Sequence, residues 1–190
     1  MWPFRKTDSR AGAEAAAQLA RLQSVADPKE RFDEVVRLLL VDHPPARPAL
    51  DGPPPSGKLT EGQETLASVA VLDHQVQDGG LLQLFWSCPW RMEHIAHSLR
   101  ALGLDELARD LDRAVNQLEA KFEEFERLRT RRPGAPGFAR AAKLFDFEWF
   151  DDKYFGRRQR GTMAEPGVNL TLYEAALRYV YANRDQFVRP

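Results

Sequence analysis

Apolar residues recur every three or four positions along most of this chain, which is the spacing of one buried face of an α-helix. The alternation in twos that would predict half-buried strands is not found over comparable lengths. The pattern therefore predicts an all-α protein, a single globular domain of about seven to eight helices.

The N-terminal part predicts two helices. Residues 11–23 are rich in alanine, and a second helix begins where Asp27 can cap it and Pro28 suits the first position. Its apolar face carries Phe32, Val35, Val36, Leu39 and Leu40. We expect residues 1–42 to form an N-terminal helical extension. Six prolines then fall within 43–58 and predict a stiff linker, so that 59–190 form the main helical domain.

The main domain predicts a helix that begins at Thr60, which can form a capping box with Gln63, and ends at Gly79 and Gly80. A short apolar passage follows, and Pro89 marks another helix start. The longest predicted helix runs from about Asp105 to about Arg129. Its apolar seam contains Leu104, Ala108, Leu111, Val115, Leu118, Phe122 and Phe125. An aromatic-rich stretch occupies 138–155, and a capping box of Thr171 with Glu174 predicts the start of the last helix.

Composition narrows the class of protein. The chain has 190 residues, a formal net charge of −1 and one cysteine, Cys88, so it contains no internal disulfide. No apolar stretch is long enough to cross a bilayer, and polar residues interrupt the alanine-rich start, which argues against a signal peptide. We therefore expect a cytoplasmic protein with no membrane partner.

Candidate catalytic and metal-binding groups are sparse. His94 and His97 are three residues apart, with Glu93 and Cys88 nearby, but zinc needs three or four ligands. A nucleophilic Cys88 with a histidine base lacks a third, orienting residue. We expect no metal, no cofactor and no catalytic residue.

Acidic residues form a regular pattern on the longest predicted helix. They recur every seven residues, which is close to two helical turns, and therefore form one stripe. The stripe contains Asp105, Asp112, Glu119 and Glu126, with Glu123 one turn from Glu119. Eight acids and three bases give 105–126 a formal charge of −5. Such a carboxylate ladder can imitate a phosphate backbone. The alternative is a solvated face whose acids pair with neighbouring bases.

Positive charge lies elsewhere along the chain. Four arginines follow the long helix and three fill a later loop, namely Arg127, Arg129, Arg131, Arg132, Arg157, Arg158 and Arg160. No interleaved aromatic platform accompanies them, so direct nucleic-acid binding is not expected.

The stretch around the paired glycines carries a family resemblance. Its residues are Gln75-Val76-Gln77-Asp78-Gly79-Gly80-Leu81-Leu82-Gln83-Leu84-Phe85, and the motif positions are Gln75, Asp78, Gly79, Gly80, Gln83 and Phe85. It resembles the signature of the bacterial family built around DNA mimic protein 19, much of which is catalogued as a domain of unknown function. Segments 98–103, 147–155 and 177–187 add to the similarity. Asp78 stands where the family usually has Asn, and Leu81 replaces an aromatic residue.

The resemblance implies a non-catalytic protein that binds another protein. A DNA mimic engaging a DNA-binding protein through the acidic face is the specific form that it suggests. Gln75 and Gln83 are expected to bond backbone groups exposed where the helix breaks. The alternative is a small-ligand-binding protein or an enzyme with a pocket at this turn, built from Gln75, Asp78, Gln83, Cys88 and His94.

Overall fold

Nine α-helices and no strand occur in the parts of the chain that the computed structural model describes, which are residues 8–42, 59–131, 134–156 and 167–187. The helices are α1 (Asp8–Leu22), α2 (Pro28–Val36), α3 (Glu61–Ser87), α4 (Met92–Ala101), α5 (Asp105–Glu119), α6 (Phe122–Arg131), α7 (Ala135–Ala141), α8 (Glu148–Phe155) and α9 (Val168–Ala182). A π-helical turn, Arg37–Val41, continues α2, and short 3₁₀ turns occupy Pro89–Arg91 and Arg184–Gln186. The all-α prediction is confirmed. The predicted linker, 43–58, lies outside the described residues.

Helix α3 lies at the centre of the molecule. Every residue from Thr65 to Asp73 is buried, as expected for a helix that is surrounded by others. It packs against α4, α8, α9 and α2, and α5 packs against α4. The predicted capping box is present. Thr60 Oγ1 accepts a hydrogen bond from the backbone N–H of Gln63, and Gln63 Oε1 accepts one from the backbone N–H of Thr60, both at 3.1 Å.

The N-terminal helices share the core of the main domain. Asp27 caps α2 by accepting from the Glu30 amide at 2.8 Å. Phe32, on the buried face of α2, lies 5.2 Å from the Tyr173 ring of α9 between centroids. One hydrophobic core therefore includes residues from 1–42 and from the main domain. The boundary between these two segments stays a prediction.

The longest predicted helix is in fact two helices, α5 and α6. The chain tightens between them, where the Lys121 amide donates to the Leu118 carbonyl at 3.0 Å, three residues back. This turn rotates α6 relative to α5 and breaks the predicted seam. Phe125 is fully buried, whereas Phe122 is 49% exposed. The prediction of one continuous apolar seam was therefore wrong.

Two further boundaries differ from the prediction. The passage after the paired glycines is helical and belongs to α3, and four of its side chains are buried in the core, those of Leu81, Leu82, Leu84 and Phe85. The last helix begins at Val168 rather than after Thr171, since Val168 already packs on the core and Gly167 provides the extended residue before it. Splitting the long helix, and finding α7 and α8 in the aromatic-rich stretch, raises the number of helices above the predicted seven to eight.

Candidate functional site

The paired glycines produce a break inside α3. Gly79 has φ −166° and ψ 27°, and Gly80 has φ 73° and ψ −173°, so neither is helical. The positive φ at Gly80 is a conformation that residues with a Cβ rarely adopt. The helix resumes at Leu81 in a new register, so the predicted helix break is confirmed.

Asp151 of α8 caps the resumed helix. Its Oδ1 accepts from the Leu81 amide at 2.8 Å, which satisfies one of the donors exposed by the break. A Cβ built on Gly80 would lie 2.3 Å from Asp151 Oδ2, so the carboxylate also needs a glycine there. Sequence reasoning missed this role of Asp151, since 70 residues separate donor and acceptor and no local spacing connects them.

The motif glutamines do not perform the predicted role. Gln83 donates through Nε2 to Ser87 Oγ at 2.7 Å, and the buried Gln75 Oε1 has no hydrogen-bond partner among the described residues. The prediction that both glutamines bond the broken backbone was wrong, because the carboxylate of α8 reaches the Leu81 amide instead. Asp78 is exposed, with Oδ2 3.5 Å from His74 Nε2. Phe85 is fully buried, with its ring 5.3 Å from that of Phe147.

A buried carboxylate lies two turns before the break. Asp73 is 3% exposed, and its Oδ1 accepts from the hydroxyls of Tyr154 and Tyr173, both at 2.7 Å. Gln77 Nε2 donates to Oδ2 at 2.7 Å, and Lys29 Nζ lies 3.8 Å from the same oxygen. Helices α2, α3, α8 and α9 therefore meet at one polar cluster.

The two phenols in this cluster are held as hydrogen-bond donors. Burial raises the pKa of Tyr154 and of Tyr173, and the carboxylate of Asp73 raises both further. Neutral phenols and a fully hydrogen-bonded carboxylate suit a structural junction. None of these groups is arranged as an activated nucleophile.

A pocket of about 370 Å³ opens between α2 and α3. Lys29, Asp73, Gln75 and Gln77 contribute its polar side, and Phe32 and Val36 belong to its apolar side. The alternative prediction was a ligand site built from five residues. One of them, Gln75, lines this pocket. The pocket does not include Asp78, Gln83, Cys88 or His94.

The cysteine and histidines lie in separate places. Cys88 is buried, and burial raises the pKa of its thiol, although the nearby guanidinium of Arg91 opposes the rise. His94 is instead on the surface, with Nδ1 2.6 Å from Glu64 Oε1, and lines a groove together with His97. Throughout the described part of the chain, no three His, Cys, Asp or Glu side chains converge as a metal site would require.

The predicted acidic face is divided between two helices. Asp105, Asp112 and Glu119 lie on α5, and Glu123 and Glu126 lie on α6. Asp112 forms an ion pair with Arg100 of α4, and Glu126 Oε1 accepts from Arg129 Nε at 2.8 Å. Within the described ranges no ion pair engages the other three, Asp105, Glu119 and Glu123, and all three are exposed.

Basic and amide residues interrupt this face. Successive residues of an α-helix are rotated by about 100° around its axis. Viewed along α5, Asn116 therefore lies about 20° and Arg109 about 40° from the direction of Asp105. Both residues line, with Asp112, a shallow depression of about 530 Å³ along the helix. On the adjoining side of α5, Lys153 of α8 binds Glu106 and Asp110 at 2.5 and 2.6 Å. The face is therefore acidic at its two ends and mixed at its centre.

The predicted basic clusters are only partly described. Arg127, Arg129 and Arg131 lie on α6, with Arg127 and Arg131 exposed. Arg132, Arg157, Arg158 and Arg160 lie outside the residues that the structure describes. No helix in the described ranges is both long enough and apolar enough to span a membrane.

Comparison with known proteins identifies the family. The model of the family described as DMP19-like protein matches residues 57–180, from just before α3 to near the end of α9. The match includes the broken helix, its capping carboxylate and both acidic helices. No curated protein and no solved structure matches the chain. Since the matched segment covers well over half of its length, the chain belongs to the DMP19-like protein family.

Proposed function

We propose that this protein acts without catalysis, by binding another protein through the exposed carboxylates of α5 and α6. The observation that carries the proposal is the contrast among acids on these helices. Asp105, Glu119 and Glu123 are exposed and make no ion pair with any described residue, whereas Asp112 and Glu126 are paired. Unpaired carboxylates keep their charge available for a basic partner.

The spacing of these charges supports a DNA mimic as the specific form of this function. Asp105 and Glu119 are separated by fourteen residues, which is about 21 Å along a helix that rises 1.5 Å per residue. Glu123 continues the series onto α6. A surface that binds DNA presents positive charge over a comparable length, so carboxylates on this rigid scaffold can occupy it.

The interleaved bases limit the area of such a contact. Arg109 lies close to the line of acids, and the whole chain has a formal charge of only −1. Attraction therefore depends on the orientation of the acidic face and falls steeply as salt screens it. A partner with a basic surface of restricted size fits this arrangement.

Charge reversal tests the proposal. The test variant is Asp105→Lys with Glu119→Lys and Glu123→Lys, and the matched control is Glu30→Lys with Glu93→Lys and Glu174→Lys. All six acids are exposed, so the two variants change the net charge equally. Proteins captured from bacterial lysate would be identified by mass spectrometry, then purified and titrated against each variant. We expect loss of a DNA-binding protein in the test variant alone. Equal loss in both variants would contradict a specific acidic face.

A second candidate function is small-ligand binding in the pocket between α2 and α3. It is favoured by Gln75 Oε1, a buried acceptor on a pocket-lining residue to which no residue in the described ranges donates. Ala70→Met would fill the apolar side of the pocket, where Ala70 is 8% exposed. A compound from a screen that raises the melting temperature of the native chain, and not that of this variant, would support a ligand site.

A further inference from the structure

Phe122 is turned towards solvent although its position in the sequence predicts burial. It is 49% exposed, while Phe125, three residues later on the same helix, is fully buried. Single exposed apolar side chains are common on protein surfaces. Phe122 differs because it lies at the junction of the two acidic helices, between Glu119 and Glu123 in the chain.

Contacts of the residues before and after Phe122 hold the chain in this orientation. Lys121 Nζ donates to the Leu144 carbonyl at 2.8 Å and lies 5.9 Å from the centre of the Phe145 ring. Phe125 packs edge-on against Trp86 and Phe145, with centroids 5.7 and 5.9 Å away. Lys121 is therefore bound to the segment between α7 and α8, and Phe125 is anchored in the core, so the chain is held on both sides of Phe122.

The surroundings of Phe122 define what would bind it. Glu119, Glu123 and Glu124 are exposed beside it in the chain, and Ala120 borders the shallow depression along α5. A second copy of this face would bring like charges together, which disfavours self-association through it. An apolar cleft bordered by lysines or arginines is complementary both to the ring and to the carboxylates.

We propose that Phe122 is the apolar anchor of the partner contact and inserts into an apolar cleft with a basic rim on a protein partner. This inference rests on the proposed function and specifies the chemistry of its partner. Buried aromatic side chains commonly dominate binding energy when a polar rim excludes water around them. Phe122 then supplies affinity, and the surrounding carboxylates supply attraction and orientation.

Site-specific cross-linking locates the contact. Phe122 would be replaced by the photoreactive residue p-benzoylphenylalanine, and Leu170, which is 43% exposed on α9, would be replaced in the control. After irradiation in cells, we expect one protein to cross-link at 122 and not at 170. The cross-linked peptide should contain apolar residues next to lysine or arginine. No cross-link above the control, or a cross-linked peptide that is acidic or wholly polar, would overturn the proposal.

Affinity measurements with the purified cross-linked partner separate the anchor from the charges. Phe122→Ala should weaken binding about 10- to 100-fold and leave its salt dependence unchanged. Phe122→Leu should recover part of the loss, and Leu170→Ala should bind as the native chain does. If Phe122→Ala binds normally while the triple charge reversal abolishes binding, the anchor fails and the proposed function survives. If neither variant weakens binding, both fail.

Discussion

Two sets of carboxylates in this protein lie in opposite surroundings. Asp73 and Asp151, at the contacts of α3 with α8 and α9, accept hydrogen bonds from groups far away in the chain. Asp105 and Glu119, on α5, are exposed and make no ion pair among the described residues. The same chemical group thus maintains the fold in one region and stays exposed to solvent in the other. The surroundings of a carboxylate make this difference. Away from water a carboxylate needs hydrogen-bond donors from the protein, whereas an exposed carboxylate is hydrated.

Removing the buried acceptor should show the largest effect. Asp73→Ala leaves the hydroxyls of Tyr154 and Tyr173 without their acceptor, and we expect a loss of about 3–4 kcal/mol in the free energy of unfolding. Urea denaturation monitored by circular dichroism measures it. Asp73→Asn keeps an accepting oxygen and should lose less. Asp105→Ala should stay within about 0.5 kcal/mol of the native chain. Similar losses for Asp73→Ala and Asp105→Ala would break the comparison.

The helix break offers the next largest effect. Gly80→Ala combines a positive φ with a close contact to Asp151, and should cost about 3 kcal/mol of unfolding free energy. Gly103→Ala is the matched control, since Gly103 has φ 74° and nothing within 4 Å of an added Cβ, leaving a backbone cost of about 1–2 kcal/mol. The double variant Gly80→Ala with Asp151→Ala removes the carboxylate that the added Cβ would contact. The cost of Gly80→Ala, measured against Asp151→Ala alone, should then come closer to the cost of Gly103→Ala. Equal costs in the single variants would remove the steric role given to Asp151.

Loss of the Asp151 cap alone should lower the stability of the fold by a smaller amount. Asp151→Ala deprives the Leu81 amide of its acceptor, and a cap of this kind is worth about 1 kcal/mol. Hydrogen exchange of the Leu81 amide, measured by NMR, should accelerate together with the loss of stability. Asp151→Asn provides an amide oxygen for the same bond, so its exchange rate should remain close to the native rate. Fast exchange in both variants would mean that the charge matters more than the acceptor geometry.

The smallest effect concerns pH. The hydrogen bond from Lys153 lowers the pKa of Glu106, so this pair stabilises the fold above the ordinary glutamate pKa and loses that contribution as pH falls through the lowered value. Burial alone would lower the pKa of Lys153, but its hydrogen bonds to Asp110 and Glu106 raise the pKa above its ordinary value. The lysine therefore keeps its contribution to stability until the pH is strongly alkaline.

Glu106→Gln should therefore flatten the decline in stability as the pH falls below the ordinary glutamate pKa. Thermal unfolding across this range measures the slope. Glu119→Gln is the control, since Glu119 makes no ion pair with the described residues, and its slope should equal that of the native chain. An equal flattening in both variants would place the effect in the overall charge rather than in the Lys153 pair.

Local signals predicted the parts of the fold that depend on neighbouring residues. The N-cap at Asp27, the capping box at Thr60 and the break at Gly79 and Gly80 occur where they were expected. Each depends on hydrogen bonds or backbone angles within a few residues. The match to the family likewise confirms the resemblance found at the motif around these glycines.

Predictions that needed distant contacts were less successful. The Thr171 capping box was overridden because Val168 packs on the core and extends α9 towards its N-terminus. Helical periodicity placed Phe122 in the buried seam, but a turn anchored by Lys121 on the Leu144 carbonyl rotates it outward. Gln75 and Gln83 were given the role that Asp151 performs. In each case, a contact between residues that are distant in sequence decided the outcome.

The sequence by itself determined the all-α class, the helix break and the family, because periodicity, caps and glycine angles act locally. Only the tertiary structure decided which acids are satisfied and which remain exposed. Asp73, Asp151 and Asp105 are the same type of residue. They differ in the hydrogen-bond donors that the packed helices bring to them. That difference arises because burial removes water and forces each polar group to find a partner within the fold, whereas at the surface water itself is the partner.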